Sequence, residues 1–254
     1  MENKKYELTD ETIQCNGRTL YRIKALKDFS NVHKGDLGGF IRKESNLSQD
    51  RDCWVYDDAK VFGNAKVSDN VIIYNNAQVF GNARVYGNAV VCSTAKVYDN
   101  AKVYEKARIC GNAKVYDNAQ VSTNALVADD AQVYGNSYVL GNAKIVGHAK
   151  VFGNAAVYDH AWVNDNAKVY DGAIVKSDAD IIGDAEVQSI DDYAVFKNFW
   201  SSGRYFTWTK SNNMWKVGCF YGTGKELVKK AYLDSKESGR KYKATVNYIK
   251  SIFL

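Results

Sequence analysis

From Val55 to Glu186 apolar and polar positions recur every six residues without one insertion or deletion. The unit reads V-Y-G-N-A-K, as in Val79-Phe80-Gly81-Asn82-Ala83-Arg84, and 22 copies fill 132 residues. The first slot is Val or Ile throughout, and the fifth is Ala in 20 copies, the exceptions being Val71 and Ser137. The third and fourth slots are rich in Gly, Asp and Asn, with Asn fourth in 13 copies. A fixed period sustained this long is the signature of a solenoid. Ala and the following Val stand two residues apart, so on a strand they point to one side. Each copy therefore predicts a short strand, Ala-Lys-Val-Tyr, with Ala and Val inward and Lys and Tyr outward. The Gly-Asn or Asp-Asn pair makes the bend, with Asn and Gly supplying the left-handed backbone that a sharp corner needs. Three copies close an 18-residue coil. The sequence thus predicts an all-β parallel solenoid of a little over seven coils, roughly 35 Å long at ~4.8 Å per coil.

An open rung at either end of such a prism would recruit other chains, so the flanks read as caps. Residues 1–54 predict a β-hairpin cap, with Thr12–Cys15 and Arg18–Ile23 joined by an Asn16-Gly17 turn. Residues 55–192 form the solenoid and 193–254 a tail. In that tail Tyr205–Thr209 and Trp215–Phe220 predict a second hairpin around Ser211-Asn212-Asn213. Thr223-x-x-Glu226 is a capping box that opens a helix to about Asp234. Gly239 is expected to separate it from a last helix with apolar positions Tyr242, Val246, Ile249 and Phe253.

Side chains 18 residues apart should stack, so the outer faces can be read as columns. One face carries an aromatic after every valine: Phe62, Phe80, Tyr98, Tyr116, Tyr134, Phe152 and Tyr170. On the other side of those valines stand Lys60, Gln78, Lys96, Lys114, Gln132, Lys150 and Lys168. Stacked rings stabilise a prism by themselves, by about 0.5–1.5 kcal/mol per pair beyond burial. The functional reading of the same face is a binding surface for nucleotide-like ligands, with rings for stacking and lysines for phosphate. Its residues are Lys96, Tyr98, Lys114, Tyr116, Tyr134, Lys150, Phe152, Lys168 and Tyr170. A second face is oily outside, through Trp54, Ile72, Val90, Leu126, Val146, Trp162 and Ile182, with Cys92 and Cys110 as packed thiols. A stripe that long should be covered, by the C-terminal helices folding back or by another subunit. The third face, with Arg84, Tyr86, Lys102 and Tyr104, is mixed.

Composition adds three points. The 46% apolar and 25% charged fractions exclude a disordered chain, and the absence of proline fits strands that must donate every N–H. From Gly222 onward eight basic residues face three acidic ones, so the whole net charge of +5 sits in the tail. Such a tail can seek phosphate or an acidic partner, or simply be the solvated face of a helix. The five cysteines have no CxxC spacing, and with no apolar leader or spanning run the chain reads as cytoplasmic, with reduced thiols and no membrane. No metal or cofactor motif is visible, and neither a Thr-x-Thr ice-binding ladder nor a Gly-Gly-x-Gly-x-Asp calcium repeat occurs. His148 and His160 replace the corner Asn in two copies, 12 residues apart, which puts them at different corners.

The hexapeptide pattern resembles that of left-handed parallel β-helices, and the handedness rests on that resemblance. Tyr21-Arg22-Ile23-Lys24-Ala25-Leu26, Gly35-Asp36-Leu37-Gly38-Gly39-Phe40-Ile41 and Cys53-Trp54-Val55-Tyr56 look like the N-terminal cap of the YdcK-like β-helix family, whose members are labelled transferases on fold alone. The tail from Trp215 to Ser235 is similar to phage- and prophage-borne members labelled polymer-forming. The resemblance implies a phage-associated protein in the cytoplasm of a bacterial host, with a trimer favoured. It brings no catalytic residue. The expected function is therefore a non-enzymatic binding or scaffold protein that offers its lysine and aromatic face to a host protein or an anionic nucleotide-like ligand, with counter-defence as its specific form. The alternative is an acyltransferase acting on a sugar or amine with acyl-CoA, using His148 or His160 as base.

Overall fold

The computed structural model describes residues 4–253. The hexapeptides form two-residue rungs from Trp54–Val55 to Glu186–Val187. Successive rungs fall on three faces in turn, and each rung pairs in parallel with those one coil before and after it. Lys96 lies opposite Gln78 on one side and Lys114 on the other. The result is a parallel β-solenoid of about eight turns, the count rising above seven because rungs open at Trp54 and close at Val187.

First-slot Val and Ile and fifth-slot Ala side chains fill the axis and are almost all fully buried, in one continuous core. Ser137 stays inward in an alanine slot because its hydroxyl donates to the Tyr134 carbonyl at 2.8 Å. Along the coils the backbone N–H groups of the second, fourth and sixth slots donate to the next coil, as in Lys96 to Ala113, Tyr98 to Val115 and Asn100 to Asp117. A proline at any of these positions would break a rung.

The corners correct the expected roles of Gly, Asp and Asn. The left-handed residue is the third slot in every copy, from Asp57 (φ 52°) to Gly183 (φ 68°), whether it holds Gly, Asp, Asn, Ser, Thr or Glu. No fourth-slot residue has a positive φ. The fourth-slot asparagines instead stack their amides: Asn64 donates to Asn82, Asn82 to Asn100, Asn100 to Asn118, Asn118 to Asn136 and Asn136 to Asn154, at 3.1–3.3 Å. Aspartates in the third slot accept from the backbone one coil on, Asp117 from the Gly135 N–H at 3.1 Å and Asp69 from Gly87 at 2.9 Å.

Both ends are covered. The hairpin Tyr6–Cys15 and Arg18–Ala25 forms with its predicted Asn16-Gly17 turn, both residues at positive φ. It pairs with Leu37–Ile41, which lies in parallel on the first rung of the lysine face. Lys5 locks this cap: fully buried, its ammonium donates to the carbonyls of Cys53 at 2.9 Å and Arg51 at 3.1 Å.

The far end carries a four-stranded antiparallel sheet, Tyr193–Lys197, Tyr205–Thr209, Met214–Val217 and Phe220–Thr223. Two strands of it depart from the predicted hairpin. Tyr193–Lys197 pairs with Tyr205–Thr209, and the segment Trp215–Phe220, expected as one strand, folds back at Gly218 (φ 56°) so that Val217 faces Phe220. Side-chain oxygens of this region meet N–H groups at the end of the solenoid. Thr207 Oγ1 accepts from Asp180 N at 2.9 Å, Ser211 Oγ from Glu186 N at 2.7 Å and Tyr193 Oη from Lys176 N at 3.3 Å.

Helices α1 (Gly224–Asp234) and α2 (Lys236–Phe253) pack on that sheet around Phe206, Trp208, Trp215, Leu227, Tyr242 and Val246. The Thr223–Glu226 capping box forms as predicted. The break between the helices is at Ser235, whose hydroxyl accepts from Ser238 N at 3.0 Å, and not at Gly239. Gly239 lies inside α2 for a different reason: a Cβ there would stand 2.3 Å from the Tyr232 ring.

Candidate functional site

The 18-residue coil brings the predicted face together. Phe62, Phe80, Tyr98, Tyr116, Tyr134, Phe152 and Tyr170 form one uninterrupted ladder, with ring centroids 4.8–5.0 Å apart and planes within 5° of parallel. A second, two-ring stack, Tyr86 on Tyr104, stands on the third face, whose sequence is mixed. Burial and the neighbouring phenols of Tyr134 and Tyr98 push the Tyr116 hydroxyl up to about 12.

This geometry changes what the face can do. Each internal ring has a parallel ring on both sides, so the π-faces on which a nucleobase would stack are already occupied. The expected stacking platform is therefore closed, and the ladder presents ring edges and the hydroxyls of Tyr98, Tyr116, Tyr134 and Tyr170. Tyr116 Oη donates to Gln132 Oε1 at 3.4 Å and Tyr170 Oη to Glu186 Oε2 at 3.2 Å.

Beside the ladder runs the lysine column. Lys96 is in register with Lys114, and Lys150 with Lys168, one coil apart. Like charges directly opposite one another destabilise a sheet. Lys168 is relieved by Glu186 at 2.8 Å, an exposed pair in which the carboxylate is held below its ordinary range and the ammonium above its own. Lys96, Lys114 and Lys150 make no ion pair among the described residues. A shallow groove follows Lys114, Gln132, Lys150 and Lys168, bounded on its far side by the corner column Asn112, Asp130, His148 and Asn166. Asp117 on the opposite corner spends its carboxylate on Gly135 N.

His148 and His160 stand at different corners, as the spacing predicts. His148 is 70% exposed, with Nδ1 3.8 Å from Asp130 Oδ2. His160 Nε2 sits 3.2 Å from Asn142 Nδ2 within an amide ladder. Among the described residues, the contacts of the two rings are these carboxylate and amide partners.

The oily stripe is less continuous than its apolar members suggest, because Arg108 and Lys144 occupy the same column. Trp54 is buried under the N-terminal cap by Tyr6 and Phe29, and Ile182 is buried at the tail end, where Tyr221 Oη reaches the Ile182 carbonyl. Between them Val90, Leu126, Val146 and Trp162 are half-buried and Ile72 is exposed. The C-terminal helices stay on their own sheet and do not cover these positions. Cys92 and Cys110 are free thiols on adjacent coils, and the Cys92 thiol is drawn down to about 6 by hydrogen bonds from Cys110 and Tyr74. No helix among the described residues is long and apolar enough to cross a membrane.

Comparison with known proteins agrees with the coil geometry. Residues 77–93 and 107–123 match the YdcK beta solenoid repeat family. A 79-residue stretch is 38% identical to a protein of Escherichia coli (strain K12) named "Uncharacterized acetyltransferase YdcK", covering 28% of this chain. The match spans about a quarter of that relative's length, 24%.

Proposed function

On a frame of YdcK-type solenoid repeats, we propose that this protein is a non-enzymatic binding scaffold that docks its lysine column and tyrosine edges onto an acidic surface of a host protein. The single observation that carries this reading is the uncompensated row of Lys96, Lys114 and Lys150 alongside a rigid ladder. In-register like charges cost stability, and an extended anionic partner would recover that cost. With the ring faces closed, such a partner reads charge and hydroxyls and does not stack, which favours an acidic protein over a nucleotide on this face. The resemblance of the flanks to phage- and prophage-borne proteins supports a phage origin, action in the cytoplasm of a bacterial host, and a counter-defence role in which a host protein is occupied. The half-buried stripe from Val90 to Trp162 is where copies of the chain would meet in a trimer.

The test is titration of the protein with polyglutamate and with RNA at two salt concentrations. Binding of polyglutamate that weakens with salt, and is lost in Lys96→Glu/Lys114→Glu/Lys150→Glu, is expected. Tighter binding of RNA would move the reading to nucleic acid, and no binding of either would end it.

One observation favours a second reading, an acyltransferase acting on a sugar or amine. His148 lies next to Asp130 and shares its groove with Lys114, Lys150 and Lys168, and the E. coli relative is named an acetyltransferase. In that reading His148 is the base and the lysines hold the phosphates of the acyl donor. Loss of acetyl-CoA turnover in His148→Ala with folding intact would support it, and absence of turnover in the unaltered protein would dispose of it.

A further inference from the structure

The third face of the solenoid interrupts its aromatic column where the lysine face does not. Val67 is in register with Val85, Val85 with Val103 and Val103 with Val121, which places Ser68, Tyr86, Tyr104 and Ser122 on successive coils. Tyr86 and Tyr104 stack with centroids 5.0 Å apart and planes 4° from parallel, and neither stacks on a further ring among the described residues. Beyond Tyr104, Ser122 is buried. On the other side of Tyr86 stands the half-buried Ser68, whose hydroxyl turns to Asp69 Oδ2 at 3.4 Å. Leu47 bridges Val67, so the position one coil before Ser68 is Ser48, small as well. The column therefore lacks a ring over Tyr86. The seven-ring ladder has no such gap at its ends: Phe62 is buried against Leu20 and Phe40, and Tyr170 is met by Gln188.

The gap opens into a groove of about 390 Å³, whose lining includes Ser68, Tyr86, Lys66, Arg84, Lys102 and Asp69. Small-molecule sites begin near this size, at about 300 Å³. Lys66, Arg84 and Lys102 stand in register on successive coils beside the tyrosines. They make no ion pair among the described residues. Asp69 is the one acid in the lining, and its carboxylate is committed. Its Oδ2 accepts from Gly87 N at 2.9 Å and its Oδ1 faces Arg51 Nε at 3.5 Å. In-register cations repel one another until an anion relieves them.

A planar ring entering over Tyr86 would continue the stack of Tyr86 on Tyr104. A chain of phosphates would then run along three cations spaced by the coil rise of ~4.8 Å. We propose that this groove binds a nucleoside triphosphate, with its base on the ring face of Tyr86 that Ser68 leaves open and its phosphates on Lys66, Arg84 and Lys102. The site lies on a different face from Lys96, Lys114 and Lys150 and stands whether or not that face binds a partner.

Calorimetric titration of the full-length protein with ATP and with inorganic tripolyphosphate, in magnesium-free buffer, tests it. The expected result is saturable binding of ATP at one site per chain, with tripolyphosphate at least about tenfold weaker because it has no ring to stack. Ser68→Tyr fills the gap with the protein's own ring. It should weaken ATP by at least about tenfold while the melting temperature stays level or rises. In Lys66→Ser/Arg84→Ser, ATP binding falls by at least about tenfold and its salt dependence flattens. No saturable heat with ATP, tripolyphosphate bound as tightly as ATP, or undiminished binding in either variant overturns the proposal. A lower melting temperature in Ser68→Tyr would show that the gap does not accept a ring and would overturn it too.

Discussion

Tyr116 and Asp117 are neighbours in the chain held under opposite demands. Tyr116 is stacked on rings above and below it. Replacing it with Ser removes two stacking contacts of about 0.5–1.5 kcal/mol each together with buried ring area. A loss of about 2–4 kcal/mol in chemical denaturation is expected. Tyr138, exposed on the third face and stacked on no described ring, should lose less than about 0.5 kcal/mol on the same change. Equal effects at the two positions would show that the ladder does not contribute to stability. Asp117 sits at φ 54° and accepts from Gly135 N. Asp117→Ala removes the hydrogen bond and puts an alanine in the left-handed region, for about 1.5–3 kcal/mol. Asp117→Gly removes only the hydrogen bond and should lose less, and denaturant midpoints that rank Ala above Gly would refute the assigned corner geometry.

At the scale of the element, the solenoid is held at its C-terminal end by hydroxyls. Thr207→Val keeps the shape of the side chain but leaves Asp180 N without its acceptor. A buried donor so orphaned costs about 1–3 kcal/mol, and hydrogen exchange at Asp180 should quicken before that of mid-solenoid rungs. Helix α1 carries a pH signature. Glu226 accepts from both the backbone N–H and the hydroxyl of Thr223 at 2.8 Å, and these bonds hold its carboxyl below the ordinary value of 4.5. A depressed carboxyl supports the helix start fully above that ordinary value and ceases to as pH falls through its own lower one. Glu226→Gln should therefore flatten the pH dependence of α1 exchange below 4.5, and an unchanged profile would assign the dependence elsewhere. The sequence signal for this cap was a local one and was legible. The Ser235–Ser238 cap is equally local, but glycine is the commoner helix stop, whereas Gly239 answers a close approach by Tyr232 that only the folded pair of helices creates.

For the whole molecule, the six-residue period determined most of the outcome. It fixed the inward Val and Ala columns, the register of 18, the unbroken ring ladder, the row of lysines and the separation of His148 from His160. These follow from spacing alone, because a solenoid repeats one local rule and each coil meets only its neighbours. The tertiary structure decided what depends on contacts across that rule. Which corner residue turns left-handed is set by backbone closure between coils, so Gly, Asp and Ser serve alike at the third slot while Asn is freed to pair along the axis. Whether aromatic faces are open is set by the rise per coil, which brings each ring against the next and closes the ladder to inserted bases. The hydrogen bond from Asn198 to Tyr242 joins residues 44 apart through a sheet and two helices with no shared period. Periodic residues are placed by the chain's own repetition; aperiodic ones are placed only by what they pack against.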